Sequence, residues 1–353
     1  MITEKENYLR CYQGEMPLWV PRFGDAAGQH ASFGGPGLKA ERSHPACASV
    51  RPSFLNRDRT PDGGGCDIWG VEYTPTDSMG GAALPTPGKY LIKDIEKWRD
   101  YIKVPDISGI DWGGMAEKDL GKFDREQTVI RTSLHSGYFQ SIVDMMGYEE
   151  GLTAFYTHPQ EVKELLQLRS DFFVEVTEKL MQYYKPDIFA IADDLATAQA
   201  PFISLDIYRE FIKPHAKREL DVGLKYGAFL DIHCCGKADI FVEDWLEMGI
   251  NSWNPAQVSN DLAGIKRKFG DRLIFVGCWD SQGPAGWLDT GEEETKAAVR
   301  RSIDSFADNG RYIFWASVYG VEGDERAERK ARWISEEYES YGRRYYENRA
   351  EIV

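Results

Sequence analysis

Residues 229–236 read FLDIHCCG, a short apolar run that stops abruptly in His233, Cys234, Cys235 and Gly236. Such a run suits a strand buried on both faces of a parallel sheet, and three metal-ligand side chains in succession stand where it should end. One residue separates His233 from Cys235, so in extended chain these two point to one side and Cys234 to the other. On this stretch alone a plainer reading is equally good: small cysteines can cap a buried strand as apolar residues. The neighbouring segments decide between the two.

Working outward, the same unit recurs. Strands are expected at residues 128–134 (TVIRTSL), 187–192 (DIFAIA), 228–232, 251–253, 273–277 and 312–316. Helices are expected between and after them at residues 139–146, 159–184, 240–248, 262–269, 292–309 and 325–349, the second with apolar residues Val162, Leu165, Leu166, Leu168, Phe172 and Phe173 at helical spacing. Another helix starts at the capping residue Ser204 and closes at Gly227, and Pro214 inside it should kink or divide it. Apolar strands alternating with helices over short connections call for a parallel sheet, and about eight such units favour a closed (β/α) barrel over an open doubly wound sheet. No glycine-rich nucleotide fingerprint opens any strand-to-helix turn.

Towards the N-terminus the rhythm is looser. Residues 1–16 suit a polar helix and PLWVP at 17–21 a first strand, while residues 24–81 are rich in Gly, Pro and small polar residues and read as long loops. Within them residues 66–73 read as the entry to a strand pair, and residues 94–101 give a short helix. The expected architecture is α/β: a single barrel domain over residues 1–353, with the helix, first strand and glycine-rich loops in 1–110 and regular units in 111–353.

Composition narrows the function. The chain has 353 residues, 42% hydrophobic and 13% aromatic, enough for one large core. A net charge of -15 argues against nucleic acid or an anionic membrane as partner, since both demand a basic face. No apolar run of about 18 residues occurs, and the N-terminus lacks the apolar core of a signal peptide. Six cysteines at 11, 47, 66, 234, 235 and 278 show no framework spacing and suit reduced thiols, so a cytoplasmic location is expected.

In such a barrel the chemistry gathers at the C-terminal ends of the strands. Those ends carry Arg22 and Asp25; His135 and Tyr138; Asp193 and Asp194; His233, Cys234 and Cys235; Trp253 and Asn254; Cys278, Trp279, Asp280 and Gln282; Ser317 and Tyr319. Acid/base or ligand side chains mixed with large aromatics recur at almost every end. Each also has a structural reading: His135 as a helix cap, the two aspartates as an N-cap and a solvated carboxylate, Trp253, Trp279 and Trp315 as barrel filling. His158 suits a surface cap and His215 a structural role within its helix.

The runs IADDLATAQAPFISLDIYREFIKPHAKRELD, HCCG, NSWNPAQ, DRLIFVGCWDSQG and GRYIFWASVYG, in that order, resemble the uroporphyrinogen decarboxylase superfamily from about residue 17 to 341. The resemblance implies one (β/α) barrel. It does not imply one reaction, because members include porphyrinogen decarboxylases and corrinoid-linked methyltransferases that carry zinc. The decarboxylases follow their first strand with two arginines that hold substrate carboxylates. Here Arg22 matches the first and Ala26 replaces the second, an unfavourable match for a polyanionic substrate on an acidic protein, although Asp67 is a match for the decarboxylases' functional aspartate.

The methyltransferase branch is similar at His-x-Cys-Gly, here His233, Cys235 and Gly236, where it binds zinc. Its third ligand, a cysteine, would fall near Tyr319 and is absent, which leaves Cys278, Asp193 or Glu322 as candidates. Fewer thiolates, a tyrosine and several indoles suit an aromatic methyl ether better than a thiol. The expectation is the methyltransferase component of a corrinoid-dependent O-demethylase, with zinc on His233, Cys235 and Cys278. His135, Asp193 and Tyr319 are its expected catalytic residues, and Arg22, Tyr138, Asp194, Trp253, Trp279 and Asp280 its substrate contacts. The corrinoid would come on a separate carrier protein, received at the open mouth and the glycine-rich loops, and a second copy of the chain is a further candidate partner. The rivals are a methylcorrinoid-to-thiol or pterin methyltransferase, a uroporphyrinogen decarboxylase, and a barrel that binds without turnover.

Overall fold

Seven strands pair side by side in the order β1, β6, β7, β8, β9, β10, β11, every neighbour parallel. In this computed structural model, which describes residues 2–24, 45–60, 63–76, 83–320 and 323–350, they are β1 Cys47–Val50, β6 Val129–Leu134, β7 Ile188–Ala192, β8 Phe229–His233, β9 Ser252–Ala256, β10 Ile274–Gly277 and β11 Tyr312–Phe314. The four numbers between belong to a small antiparallel sheet, β2 Asp58–Arg59, β3 Gly65–Cys66, β4 Glu72–Pro75 and β5 Ala83–Pro85. An eighth position is filled by a stub at Arg22, which bridges Phe314 in parallel through Phe23 N–H to the Phe314 carbonyl (2.9 Å) and Phe314 N–H to the Pro21 carbonyl (2.8 Å).

Alternation along the strands closes this order into a barrel. Phe23 of the stub and Cys47 of β1, from the two ends of the order, share one inner apolar cluster with Val129, Ile188, Ile274, Val276 and Ile313. The intervening residues, among them Ile130, Phe189, Leu230, Ile232, Trp253, Phe275 and Phe314, face an outer cluster under the helices. The inner cluster is plugged by the helix Glu4–Gln13, whose Tyr8, Cys11 and Tyr12 are buried. Thr3 and Glu6 form a capping box at its start and the left-handed Gly14 ends it. Burying each such ring is worth roughly 1.5–3 kcal/mol.

Above the plug lies a polar layer. Arg131 Nε sits 2.6 Å from Asp231 Oδ2, with both side chains buried; Ser252 donates to Asp231, Tyr12 to Ser252 and Arg131 to Ser49. Removing one partner of such a pair typically costs about 3–5 kcal/mol, because the other charge stays buried.

Several expectations changed in detail. Residues 24–81 were expected as long loops, yet the described part contains β1 and the antiparallel sheet. Strands of two to four residues, punctuated by left-handed Gly63, Gly65 and Gly70, are too short to show a period. The helix after Ser204 is divided as Pro214 requires: Leu205–Ile207, then a wide turn over Tyr208–Ile212, then Lys213–Lys225. The final helix is broken too, into Glu325–Ser340 and Tyr345–Ala350 around Gly342–Arg344. Two helices that the sequence reading left out, Trp112–Leu120 and Tyr148–Thr157, complete the outer layer. No helix among the described residues is long and apolar enough to cross a membrane.

Candidate metal centre in the barrel mouth

Alternation that runs past the strand ends decides which side chains reach the mouth. On β8, Phe229 packs on Tyr12 inside the barrel, Asp231 meets Arg131, and His233 and Cys235 follow on the same side, whereas Cys234 is fully buried in the outer cluster. On β7 the same count turns Asp193 outward and Asp194 inward. Asp193 accepts hydrogen bonds from the Phe139 and Gln140 amides (2.8 and 2.9 Å) and so caps the helix Tyr138–Met146. Burial, reinforced by Asp194 and Asp144, pushes its carboxyl up to about 7 against those two amide bonds.

Asp194, His233 and Cys235 converge, with one donor atom from each lying within 4.8 Å of the others. Cys235 Sγ is 3.7 Å from His233 Nε2. Tetrahedral zinc, with Zn–S of about 2.3 Å and Zn–N of about 2.0–2.1 Å, would hold these atoms about 3.6 Å apart, so the pair fits such an ion. His233 Nδ1 is 2.9 Å from Asn254 Oδ1, an arrangement that turns Nε2 toward the donor set. Asp194 Oδ1 accepts from the Cys235 amide (2.7 Å), tying the acid to the turn that carries the thiol. Burial and the Asp194 charge push the Cys235 thiol well above its ordinary range, and a divalent cation is the group that would reverse this.

The turn itself needs glycine. Gly236 has φ 85°, and a Cβ there would lie 2.4 Å from the Ala196 carbonyl oxygen and 2.6 Å from that of Thr197. From behind, Trp253 fixes the same turn by donating from Nε1 to the Cys234 carbonyl (2.9 Å) while its ring packs on Trp245.

Tyr319 faces the donors from beyond β11. It is 38% exposed, and the desolvation of its hydroxyl at the rim, with Cys235 and Asp194 beside it, raises the hydroxyl pKa against the hydrogen bonds of Ser317 and Ser281. With Trp279, Trp315, Pro255 and Gln257 these residues line a pocket beside the donor set. His135 is the inward residue beyond β6. Its imidazole pKa is driven well down by burial and then by the neighbouring arginines Arg51, Arg131 and Arg57, which keeps the ring neutral.

The remaining expected residues lie elsewhere. Cys278 does not join the donors: a register irregularity between Phe275 and Gly277, followed by left-handed Cys278 (φ 55°), ends the alternation of β10 and leaves that thiol in the outer cluster. Asp194 stands in the third-donor position instead. Arg22 points outward, donating to Ser335 Oγ (3.0 Å) and lying over the Tyr338 ring. Tyr138 donates to Glu219 (2.9 Å) in the helix layer, and Asp280 accepts from the Gly283 amide (2.8 Å) to close its own loop. Asp25, Ala26 and Glu322 lie outside the described residues. Sequence reasoning passed over Arg51 and Arg57, because the strand that carries Arg51 to the mouth has only four residues; it named Asn254 without a role, although the count from Ser252 would have turned it inward.

The model of the uroporphyrinogen decarboxylase family matches residues 123–319. No curated protein sequence matches the chain. Among solved structures, a methyltransferase from Methanosarcina mazei superposes with a TM-score of 0.63 at 16% identity, over 96% of this chain and 100% of that one. At that identity the likeness speaks for the fold alone.

Proposed function

Since this chain belongs to the uroporphyrinogen decarboxylase family, we propose that it is the methyltransferase component of a corrinoid-dependent O-demethylase, moving a methyl group from a methoxylated aromatic compound to the Co(I) corrinoid of a separate carrier protein. The observation that carries the reading is the meeting of Asp194, His233 and Cys235 with Tyr319 beside an indole-walled pocket. The methyltransferase from Methanosarcina mazei with the same fold is compatible with it. Decarboxylation of a porphyrinogen fits less well, because Arg22 is turned into the helix layer and away from the mouth.

His233, Cys235 and Asp194 would hold zinc, with Asn254 orienting the imidazole. When bound, zinc supplies a Lewis acid at the ether oxygen, where charge builds as the oxygen–methyl bond breaks. The aryl oxygen keeps the bonding pair, and the methyl carbon accepts a new pair from cobalt. Tyr319, whose surroundings keep it protonated, donates a hydrogen bond to that oxygen, the contribution expected of a group aimed at developing charge. Trp279 and Trp315, which line the pocket beside the donors, would wall the aromatic ring.

The test is the spectral conversion of Co(I) corrinoid to its methyl form under anaerobic conditions, with a methoxyarene as donor. Wild-type turnover is expected, and Tyr319→Phe should lower kcat by about 10²-fold, with KM and zinc content unchanged. Carbon dioxide release from uroporphyrinogen with no methyl transfer from any methoxyarene would overturn the reading.

A further inference from the structure

One wall of the pocket beside the donors has no part in the chemistry so far. Gln257 is the first residue beyond β9, and it lines that pocket with Tyr319, Trp279 and Trp315. Its Oε1 accepts a hydrogen bond from the Gly236 amide, in the turn that follows Cys235. A backbone amide can only donate, so this bond takes the oxygen of the carboxamide and fixes which end is which. The Nε2 end is left over, and it makes no hydrogen bond among the described residues. Its two N–H donors belong to a side chain that shares the pocket with the Tyr319 hydroxyl.

The segment that carries Gln257 is held from behind. Asn260, itself buried, donates from Nδ2 to the Gly236 and Gln257 carbonyls, both at 2.9 Å. Its Oδ1 accepts from the Ala238 amide at 2.9 Å and the Asp239 amide at 3.0 Å, and its own amide donates to the Gln257 carbonyl at 3.1 Å. The turn after β8 and the loop after β9 are thus one hydrogen-bonded unit, and Gln257 is its edge on the pocket. A donor whose backbone and far end are already fixed loses little freedom when it meets a ligand, which is the condition for stabilising charge that develops during a reaction.

Resting on the O-demethylase reading, we propose that Gln257 is a further catalytic residue, its carboxamide N–H donating to the aryl oxygen alongside the Tyr319 hydroxyl as the oxygen–methyl bond breaks. A count of lone pairs gives it a part of its own. The ether oxygen has two, matched by the metal site and by Tyr319. The aryl oxide, which keeps the bonding pair while the methyl carbon takes a new pair from Co(I), has three. The third becomes available only as the bond breaks, so a donor to it acts on the transition state and adds little to substrate binding. No proton leaves Gln257 in this step; it supplies a hydrogen bond alone.

The test reads the aryl oxide directly, independent of turnover. 4-Nitrophenol, whose phenolate is coloured, should ionise more readily when bound to the wild-type protein than when free. Gln257→Met should lower the ionisation constant of the bound dye by about tenfold and kcat for a methoxyarene by about 10- to 10²-fold, with KM and zinc content near those of the wild type. Gln257→Glu, which keeps an acceptor for the Gly236 amide and loses the donors, should show the same losses. Unaltered dye ionisation in Gln257→Met would overturn the proposal. So would ionisation that falls only where zinc is lost as well, because Gln257 would then be a brace of the turn. Methyl transfer by Gln257→Met at the wild-type kcat would overturn the donor and leave the reaction standing. Dye ionisation that depends on Gln257, in a protein that transfers no methyl group from any methoxyarene, would uphold the donor and remove the O-demethylase reading.

Discussion

Glu219 shows what the outer layer does with a buried acid. Its side chain is fully buried, accepts from Tyr138, and has its pKa pushed up to about 7 from the usual 4.5, chiefly by burial. The native chain therefore binds a proton there that the unfolded chain has released between pH 4.5 and 7. Stability from this group is undiminished below about 4.5, falls as pH rises toward 7, and stays low above it. The full loss is on the order of 3 kcal/mol. Glu219→Gln keeps the acceptor for Tyr138 and removes the titration, so urea unfolding of the variant should show a flatter stability profile from pH 5 to 8. Equal slopes for wild type and variant would contradict a protonated Glu219.

Among the elements, period-two alternation was the most informative signal, and it reaches further than the strands. It puts His233 and Cys235 on one side and Cys234 on the other, as they stand in the structure. The same count on β7 would have chosen Asp194 over Asp193. The error over Cys278 has a different origin, because neither the register irregularity of β10 nor the left-handed Cys278 that follows it leaves a mark in the sequence. Most strands and helices were legible because their apolar runs are long. β1 and the antiparallel sheet were not, because two to four residues carry no period. At the turn after β8, Gly236→Ala forces a Cβ against two carbonyl oxygens in a left-handed conformation. It should cost about 2–4 kcal/mol in urea unfolding and reduce zinc retention, since the turn carries the Cys235 donor and follows directly on His233. A variant with wild-type stability and full zinc would show that the turn relaxes freely.

For the whole molecule, the barrel explains why residues so distant in sequence form one site. Successive strands deliver inward residues to the same rim, so Arg51, His135, Asp194, His233 and Asn254, with Tyr319 from the segment after β11, gather there although about three quarters of the chain separates the first from the last. The plug of Tyr8 and Tyr12 and the buried Arg131–Asp231 pair close the other end, so that chemistry is confined to the C-terminal mouth. The most direct measurement is the zinc content of anaerobically purified wild-type protein beside Asp194→Ala, His233→Ala, Cys235→Ala and Cys278→Ala. The expected result is about one zinc per chain in the wild type and in Cys278→Ala, and loss of the metal in the other three. Wild-type protein that takes up no zinc, or zinc lost from Cys278→Ala and retained in Asp194→Ala, would contradict the metal centre described.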